Sequence, residues 1–267
     1  EADVDILWIG ARSTVNPFTV QEIAVALKGT NKPVLVKNPV NPDLALWIGA
    51  LERLLGQDVK NLGVIHRGFS SYQKTKYRNL PNWQIALDFK HQFPNIPMFV
   101  DPSHICGRRD LLSDVTQEAF NVGYEGAMIE SHCNPDAAWS DAAQQITPEV
   151  LAEMLGNLQI RNSDISGFDE EMGKHRALIS DIDFQLIELL SNRMKISEKI
   201  GALKKENNIA IFQPDRWKVI AEYASARAEE SGMGKDFIEK VFKAIHEESI
   251  EVQNNIIQIE KIKKKKK

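Results

Sequence analysis

The sequence predicts a chain of two parts, an α/β segment built on a parallel sheet and an all-helical segment after it. Three observations predict this. Short apolar, β-rich runs alternate with helical patterns as far as about Leu158, helical periodicity alone continues beyond, and a polar stretch, NLQIRNSDISGFDEE, lies between. The 267 residues fit two domains at roughly 150 residues each.

The runs VDILWIGA, KPVLVKN, NLGVIHRG, PMFVDPSH and GAMIESH read as five strands about 30 residues apart, the spacing of βα units. Their uniform apolarity predicts cover on both faces. Between them, TVQEIAVALKG reads as a helix with a Thr19–Glu22 capping box and a stop at Gly29, and PDLALWIGALERLLG as a helix opened by Pro42. A doubly wound sheet and a (β/α)8 barrel both produce this alternation. No G-x-G-x-x-G follows the first run, and Arg12, Lys37, Arg67, His104 and Glu130 stand at the carboxyl ends of the five runs, which favours a barrel mouth. Five units against the eight of a closed barrel predict a partial barrel, and the start at EADVDILW reads as a chain whose upstream portion supplies the rest.

From about Asp169 to Glu206, Ile179, Ile182, Leu186, Leu189, Ile196, Ile200 and Leu203 recur at three-to-four spacing, with Gly201 the interior glycine. A helix of nearly 40 residues spans roughly 60 Å. The helices expected near Asp215 to Glu230 and Lys235 to Ile259 are too short to cover it, so a partner subunit is expected across a two-fold axis, giving a homodimer. The boundaries expected are 1–158 for the α/β part, 159–168 for the linker, 169–260 for the helical domain and 261–267 for a solvated basic tail.

Hydrophobic content of 43%, charged content of 26% and a net charge of −4 exclude a general nucleic-acid binder. Two cysteines cannot build a disulfide framework, and no apolar run approaches the roughly 18 residues needed to cross a bilayer. The expectation is a cytoplasmic protein with neither nucleic acid nor membrane as partner.

Arg12, Lys37 and Arg67 occupy equivalent positions after the first three strands and converge on an anion site. His104, Glu130 and Asp141, in DPSH, MIESH and AAWSD, add an imidazole and two carboxylates, a donor set that suits Mn²⁺, Fe²⁺ or Zn²⁺. Cys106 and Cys133 lie near these groups in sequence but read as packing residues, and His66 and His132 as structural ones. In the helical part, Arg193 and Lys204 are eleven residues apart and so nearly on one face, Arg176 points to another side, and Ser249 and Gln253 share a face at i and i+4. Such a set is either a solvated charged face or a cationic pocket for a small dianion.

IGARS, PVLVKNPVNPD, IHRGFSSY, DPSHICGRRDLL and MIESHCNPDAAWSDAAQQITPE resemble the second part of the catalytic barrel of 3-deoxy-D-arabino-heptulosonate 7-phosphate (DAHP) synthase, short type, from the first residues to about Leu158. The resemblance implies condensation of phosphoenolpyruvate with erythrose 4-phosphate, with Gly10, Ala11, Arg12, Lys37 and Arg67 binding phosphoenolpyruvate. It implies His104, Glu130 and Asp141 as ligands of a divalent metal ion; the family's cysteine ligand and K-P-R-T segment belong to strands that precede these. HRALISDIDFQLIELLSNRMKISEKIGALKKE, FQPDRW and HEESIEVQ resemble the all-helical class of chorismate mutase over about Asp169 to Ile257. That implies rearrangement of chorismate to prephenate without a cofactor, in a pocket of Arg193, Lys204, Arg216, Ser249 and Gln253, with Arg176 contributed by the other subunit. Trp217 stands where many members place an acidic residue for the substrate hydroxyl, and Gln213 replaces a common Asp.

Taken together, the fold class expected is α/β, a partial TIM barrel of about five βα units, followed by an all-α chorismate mutase domain. The function expected is a bifunctional shikimate-pathway enzyme. Two other readings stay open at this point: a mutase alone beside an inactive half-barrel, or a mutase fold that senses prephenate or chorismate and regulates the barrel.

Overall fold

A computed structural model describes residues 4–72, 74–161 and 169–264, with side chains as far as 256. Most of the expected linker, 162–168, and the end of the basic tail, 265–267, lie outside the described residues. The chain forms two compact units, Glu1–Asp164 and Ile165–Lys267.

In chain order the first unit contains β1 (Leu7–Ile9), α1 (Ala11–Thr14), α2 (Pro17–Ala26), β2 (Val34–Lys37), α3 (Leu44–Leu55), β3 (Leu62–His66), α4 (Trp83–Gln92), β4 (Met98–Val100), α5 (Pro102–Cys106), α6 (Leu112–Asn121), β5 (Gly126–Ala127) and α7 (Pro148–Asn157). The strands are all parallel and lie in the order β1-β2-β3-β4-β5. A doubly wound sheet reverses direction at a switch point. Here every strand adds beside its predecessor, so the sheet is an arc of an α/β barrel and its carboxyl ends share one mouth.

The core lies between this arc and its outer helices. All five residues of β3 are buried, and α3 turns Trp47, Ala50, Leu51 and Leu54 inward. Trp47 packs on Phe89 of α4 at 4.8 Å between centroids, and its indole N–H donates to Val36 O at 3.1 Å, so the largest core side chain is buried without an orphaned donor.

Local signals differ from the sequence reading in three places. The Thr19–Glu22 capping box is overridden by Asn16, whose Oδ1 accepts from Phe18 N and Thr19 N while Pro17 supplies the first helical residue. Pro42 does not open α3; Asp43 caps it by accepting from Leu46 N. The fifth strand is two residues long, and Met128 adds one further bond to Val100 O before the chain leaves the sheet.

The second unit contains α8 (Asp169–Glu206), α9 (Pro214–Glu230) and α10 (Lys235–Lys264). The span of α8 and the ends of α9 match the expected helices to within a residue, because helical period is a local property of the sequence, whereas α10 runs five residues past Ile259, into the stretch expected as a solvated tail. Along α8, Ile179, Ile182, Leu186 and Leu189 are 51–65% exposed in the single chain. Gly201 is buried where α10 crosses α8: a Cβ there would lie 3.1 Å from Gln253 Cα.

Candidate active sites

Lys37 is the last residue of β2, Arg67 follows β3, Asp101 follows β4 and Arg12 sits in α1 directly after β1. Arg12, Lys37 and Arg67 bound a cavity of about 320 Å³ whose wall also includes Gly10, Ala11, Arg78, His104 and Asp141, with Asp101 behind Lys37. Lys37 Nζ donates to Asp101 Oδ2 at 2.7 Å, with the two side chains 10% and 1% exposed. Arg67 is 8% exposed, and its Nη1 donates to Asn79 Oδ1 at 2.7 Å. Asn38 Oδ1 accepts from Arg67 N, and Gly68, at φ +75°, lets the chain turn against Asn79, where a Cβ would lie 2.8 Å from Asn79 O.

Burial pushes the Arg67 guanidinium below its ordinary range; Asp101 opposes this, and the positive charges of Arg78 and Arg12 reinforce it. Four cations, Arg12, Lys37, Arg67 and Arg78, line the cavity; Asp101 pairs with Lys37 and Asp141 with Arg78, so Arg12 and Arg67 leave net positive charge that an anionic ligand would neutralise.

Opposite them, ligand-capable atoms of His104, Glu130 and Asp141 lie within 4.8 Å of one another. His104 is in α5, where Asp101 caps the helix by accepting from His104 N at 3.0 Å. The same carboxylate meets His104 Nδ1 at 2.9 Å, fixing the ring and leaving Nε2 as the nitrogen able to bind a metal. Glu130 Oε1 is 3.4 Å from that Nδ1, and Ser103 Oγ accepts from Glu130 N at 3.0 Å. Asp141, at φ +49°, accepts from Arg78 Nη1 at 2.7 Å, a bond that holds its carboxyl below the usual range against some burial. One nitrogen and two carboxylates in this spacing could hold a divalent metal ion.

Cys106 is buried, and desolvation foremost pushes its thiol up to about 12; Cys133 is exposed. Neither belongs to the His104–Glu130–Asp141 group. His66 is fully buried: its Nε2 lies 2.7 Å from Pro81 O and its Nδ1 2.9 Å from Tyr124 Oη. A carbonyl only accepts, so Nε2 carries the proton and Nδ1 accepts from Tyr124, a neutral ring with no free nitrogen. The sequence reading did not single out Asp101, Arg78 or Asn79. Asp101 had a signal, since D-P opening a short helix is a cap; Arg78 and Asn79 sit in a loop with no periodic mark.

The second unit holds a cavity of about 220 Å³ lined by Arg193, Ser197, Ile200 and Lys204 of α8, by Arg216 and Gln213 at the start of α9, and by His246, Ser249 and Gln253 of α10. Arg193 Nη1 donates to Ser249 Oγ, which itself donates to Ile245 O at 2.8 Å. Lys204 Nζ donates to Ile211 O at 2.6 Å. Burial, then the charge of Arg216, lowers Arg193, and burial lowers Lys204. Gln253 is 7% exposed and its Oε1 has no hydrogen-bond partner. Five of the six expected residues therefore meet in one cationic pocket; Arg176, about 25 Å away along α8 at 1.5 Å per residue, is exposed and apart from it. His246 was not foreseen from sequence.

Parallel strands added in chain order, with cations and an imidazole–carboxylate group gathered beyond their carboxyl ends, define a protein of the α/β-barrel class. The chain belongs to the DAHP synthetase I family, whose model matches residues 2–165, more than half of its length. Residues 175–254 match the family Chorismate mutase type II. The phospho-2-dehydro-3-deoxyheptonate aldolase of Thermotoga maritima is 29% identical over 155 residues, 58% of this chain and 44% of that protein. The T-protein of Haemophilus influenzae is 28% identical over 87 residues, 33% of this chain and 23% of that protein. A solved truncated form of 3-deoxy-D-arabino-heptulosonate 7-phosphate synthase from Thermotoga maritima superposes with a TM-score of 0.52 at 26% identity, covering 64% of this chain and 60% of that one. The chain thus spans less than half the length of the two curated relatives. With both segments present, neither alternative reading of the sequence gains support.

Proposed function

We propose that the chain serves a bifunctional enzyme that condenses phosphoenolpyruvate with erythrose 4-phosphate at the sheet mouth and rearranges chorismate to prephenate in the helical pocket. The observation that carries the first half is the convergence of Arg12, Lys37 and Arg67 opposite His104, Glu130 and Asp141 at one mouth. The basic groups neutralise the phosphate and carboxylate of phosphoenolpyruvate, with Gly10 and Ala11 in the wall beside them. His104, Glu130 and Asp141 would hold a divalent ion, which when bound supplies a Lewis acid for the aldehyde of erythrose 4-phosphate. Asp101 orients both the Lys37 ammonium and the His104 ring.

In the helical pocket Arg193 and Arg216 hold carboxylates of chorismate in a reactive geometry, and Lys204 with Gln253 stabilises charge developing on the ether oxygen. No cofactor enters this step. The exposed apolar stripe of α8 would be covered by the same helix of a second copy, a homodimer in which Arg176 reaches the partner's pocket. Among the described residues no helix is long and apolar enough to cross a membrane.

Calorimetric titration of phosphoenolpyruvate into the full chain tests the first site. Binding weakened at least tenfold by Arg67→Ala supports it; no binding, or binding untouched by that change, overturns it.

A further inference from the structure

We infer that His246 touches the substrate of the helical pocket, its Nε2 accepting a hydrogen bond from the ring hydroxyl of chorismate. The inference rests on the mutase reading above and assigns the part of the ligand that reading leaves without a partner.

His246 precedes Ser249 by one turn of α10 and lines the same cavity as Arg193, Lys204 and Arg216. Its ring stacks on Trp217 at 4.6 Å between centroids and 25° between planes, and lies 6.1 Å from Phe212. Aromatic neighbours set the plane of the ring in advance of any ligand. Its Nε2 is nonetheless buried and has no hydrogen-bond partner. Buried nitrogens in native proteins are almost always paired, and because the His246 ring lines the cavity, a ligand filling it is the partner in reach of this orphan.

The chemistry of the wall selects the partner. Arginine and lysine only donate, so Arg193, Arg216 and Lys204 match the carboxylates and ether oxygen of chorismate and offer nothing to a hydroxyl proton. The indole of Trp217 also only donates. A neutral imidazole has one unprotonated nitrogen, which the assignment places at Nε2 with the proton on Nδ1, and the His246 ring is held toward the neutral form by burial first, then by the charges of Arg193 and Lys204, with Glu247 opposing. Gln253 Oε1 is the other buried acceptor without a partner in this cavity, on a residue whose amide N–H is assigned above to the ether oxygen; Gln213 also lines the wall but is exposed at its rim.

The test uses the full chain and two substrates, chorismate and an analogue lacking the ring hydroxyl. His246→Phe retains an aromatic ring against Trp217 and removes the nitrogen, His246→Leu removes it without a ring, and His246→Gln restores a polar side chain. Losing one buried hydrogen bond predicts a fall of about tenfold in kcat/KM for chorismate with His246→Phe, and no change for the analogue. His246→Gln should recover most of the loss, and His246→Leu repeats the comparison if the phenyl ring lowers the helical circular dichroism. Equal losses on both substrates show a structural role and overturn the assignment, as does an unchanged rate on chorismate. A parent chain that converts neither substrate removes the mutase reading and this assignment with it; a parent that converts chorismate with an indifferent His246 removes the assignment alone.

Discussion

Replacing Asp101 by Asn tests whether one buried carboxylate organises the sheet mouth. Its side chain is 1% exposed and holds Lys37 Nζ at 2.7 Å, His104 Nδ1 at 2.9 Å and the backbone N–H of His104 at 3.0 Å. Burial alone would raise its carboxyl, but the bond to His104 and the charge of Lys37 win, so the group is lowered and ionised. Asn keeps the shape and an acceptor for the backbone, yet it leaves the Lys37 ammonium buried without a counter-charge. Breaking one side of a buried pair costs about 3–5 kcal/mol, whereas replacing both sides by apolar groups is close to neutral. Taking about 3 kcal/mol, amides of β4 and α5 should exchange roughly 100-fold faster by hydrogen-exchange mass spectrometry. Lys37→Met/Asp101→Leu should recover most of that protection. Exchange within twofold of the parent for Asp101→Asn, or no recovery in the double variant, refutes the ion-pair reasoning.

Three further outcomes are expected. His66 is lowered to about 4, chiefly by burial, so the unfolded chain takes up a proton below about pH 6.5 that the folded chain refuses. Its contribution to stability is present above that pH and is lost as pH falls toward 4, about 3 kcal/mol in all; the urea midpoint of the first unit should fall over that window more steeply than in His66→Asn, and parallel curves would contradict this. Iodoacetamide at pH 8 should modify Cys133 and spare the buried Cys106, whose thiol is pushed up to about 12, so mass spectrometry should find one adduct rather than two. Gly201→Ala puts a methyl group 3.1 Å from Gln253 Cα, so α10 must give by a few tenths of an ångström; the roughly 1 kcal/mol that alanine gains inside a helix offsets that cost in stability, but chorismate turnover should fall several-fold, and unchanged turnover would show that this crossing does not place Gln253.

The parts of the molecule legible in the sequence are those set by short-range physics. The span of α8 follows from a 3.6-residue apolar period, and the first four strands from apolar runs between turn signals. The fifth run misled because apolar character continues through Met128 and Ile129 although the ladder to β4 ends; pairing depends on a neighbour the local pattern does not contain. At α2 two capping signals overlapped, and Asn16-Pro17 prevailed because proline fixes the first helical φ. The candidate sites divide in the same way. Lys37, Arg67 and His104 could be read because strand ends place them. Arg78 and His246 could not, since one comes from an irregular loop and the other matters only where three helices meet.

Turnover of chorismate by the full 267-residue chain, followed by loss of its ultraviolet absorbance, tests the account most directly. The proposed function predicts conversion to prephenate by the parent and a fall of at least 100-fold on Lys204→Ala, with circular dichroism unchanged, since electrostatic donors of this kind supply about 10²–10³ in rate. A parent that leaves chorismate intact, or a Lys204→Ala chain that matches the parent, would contradict it.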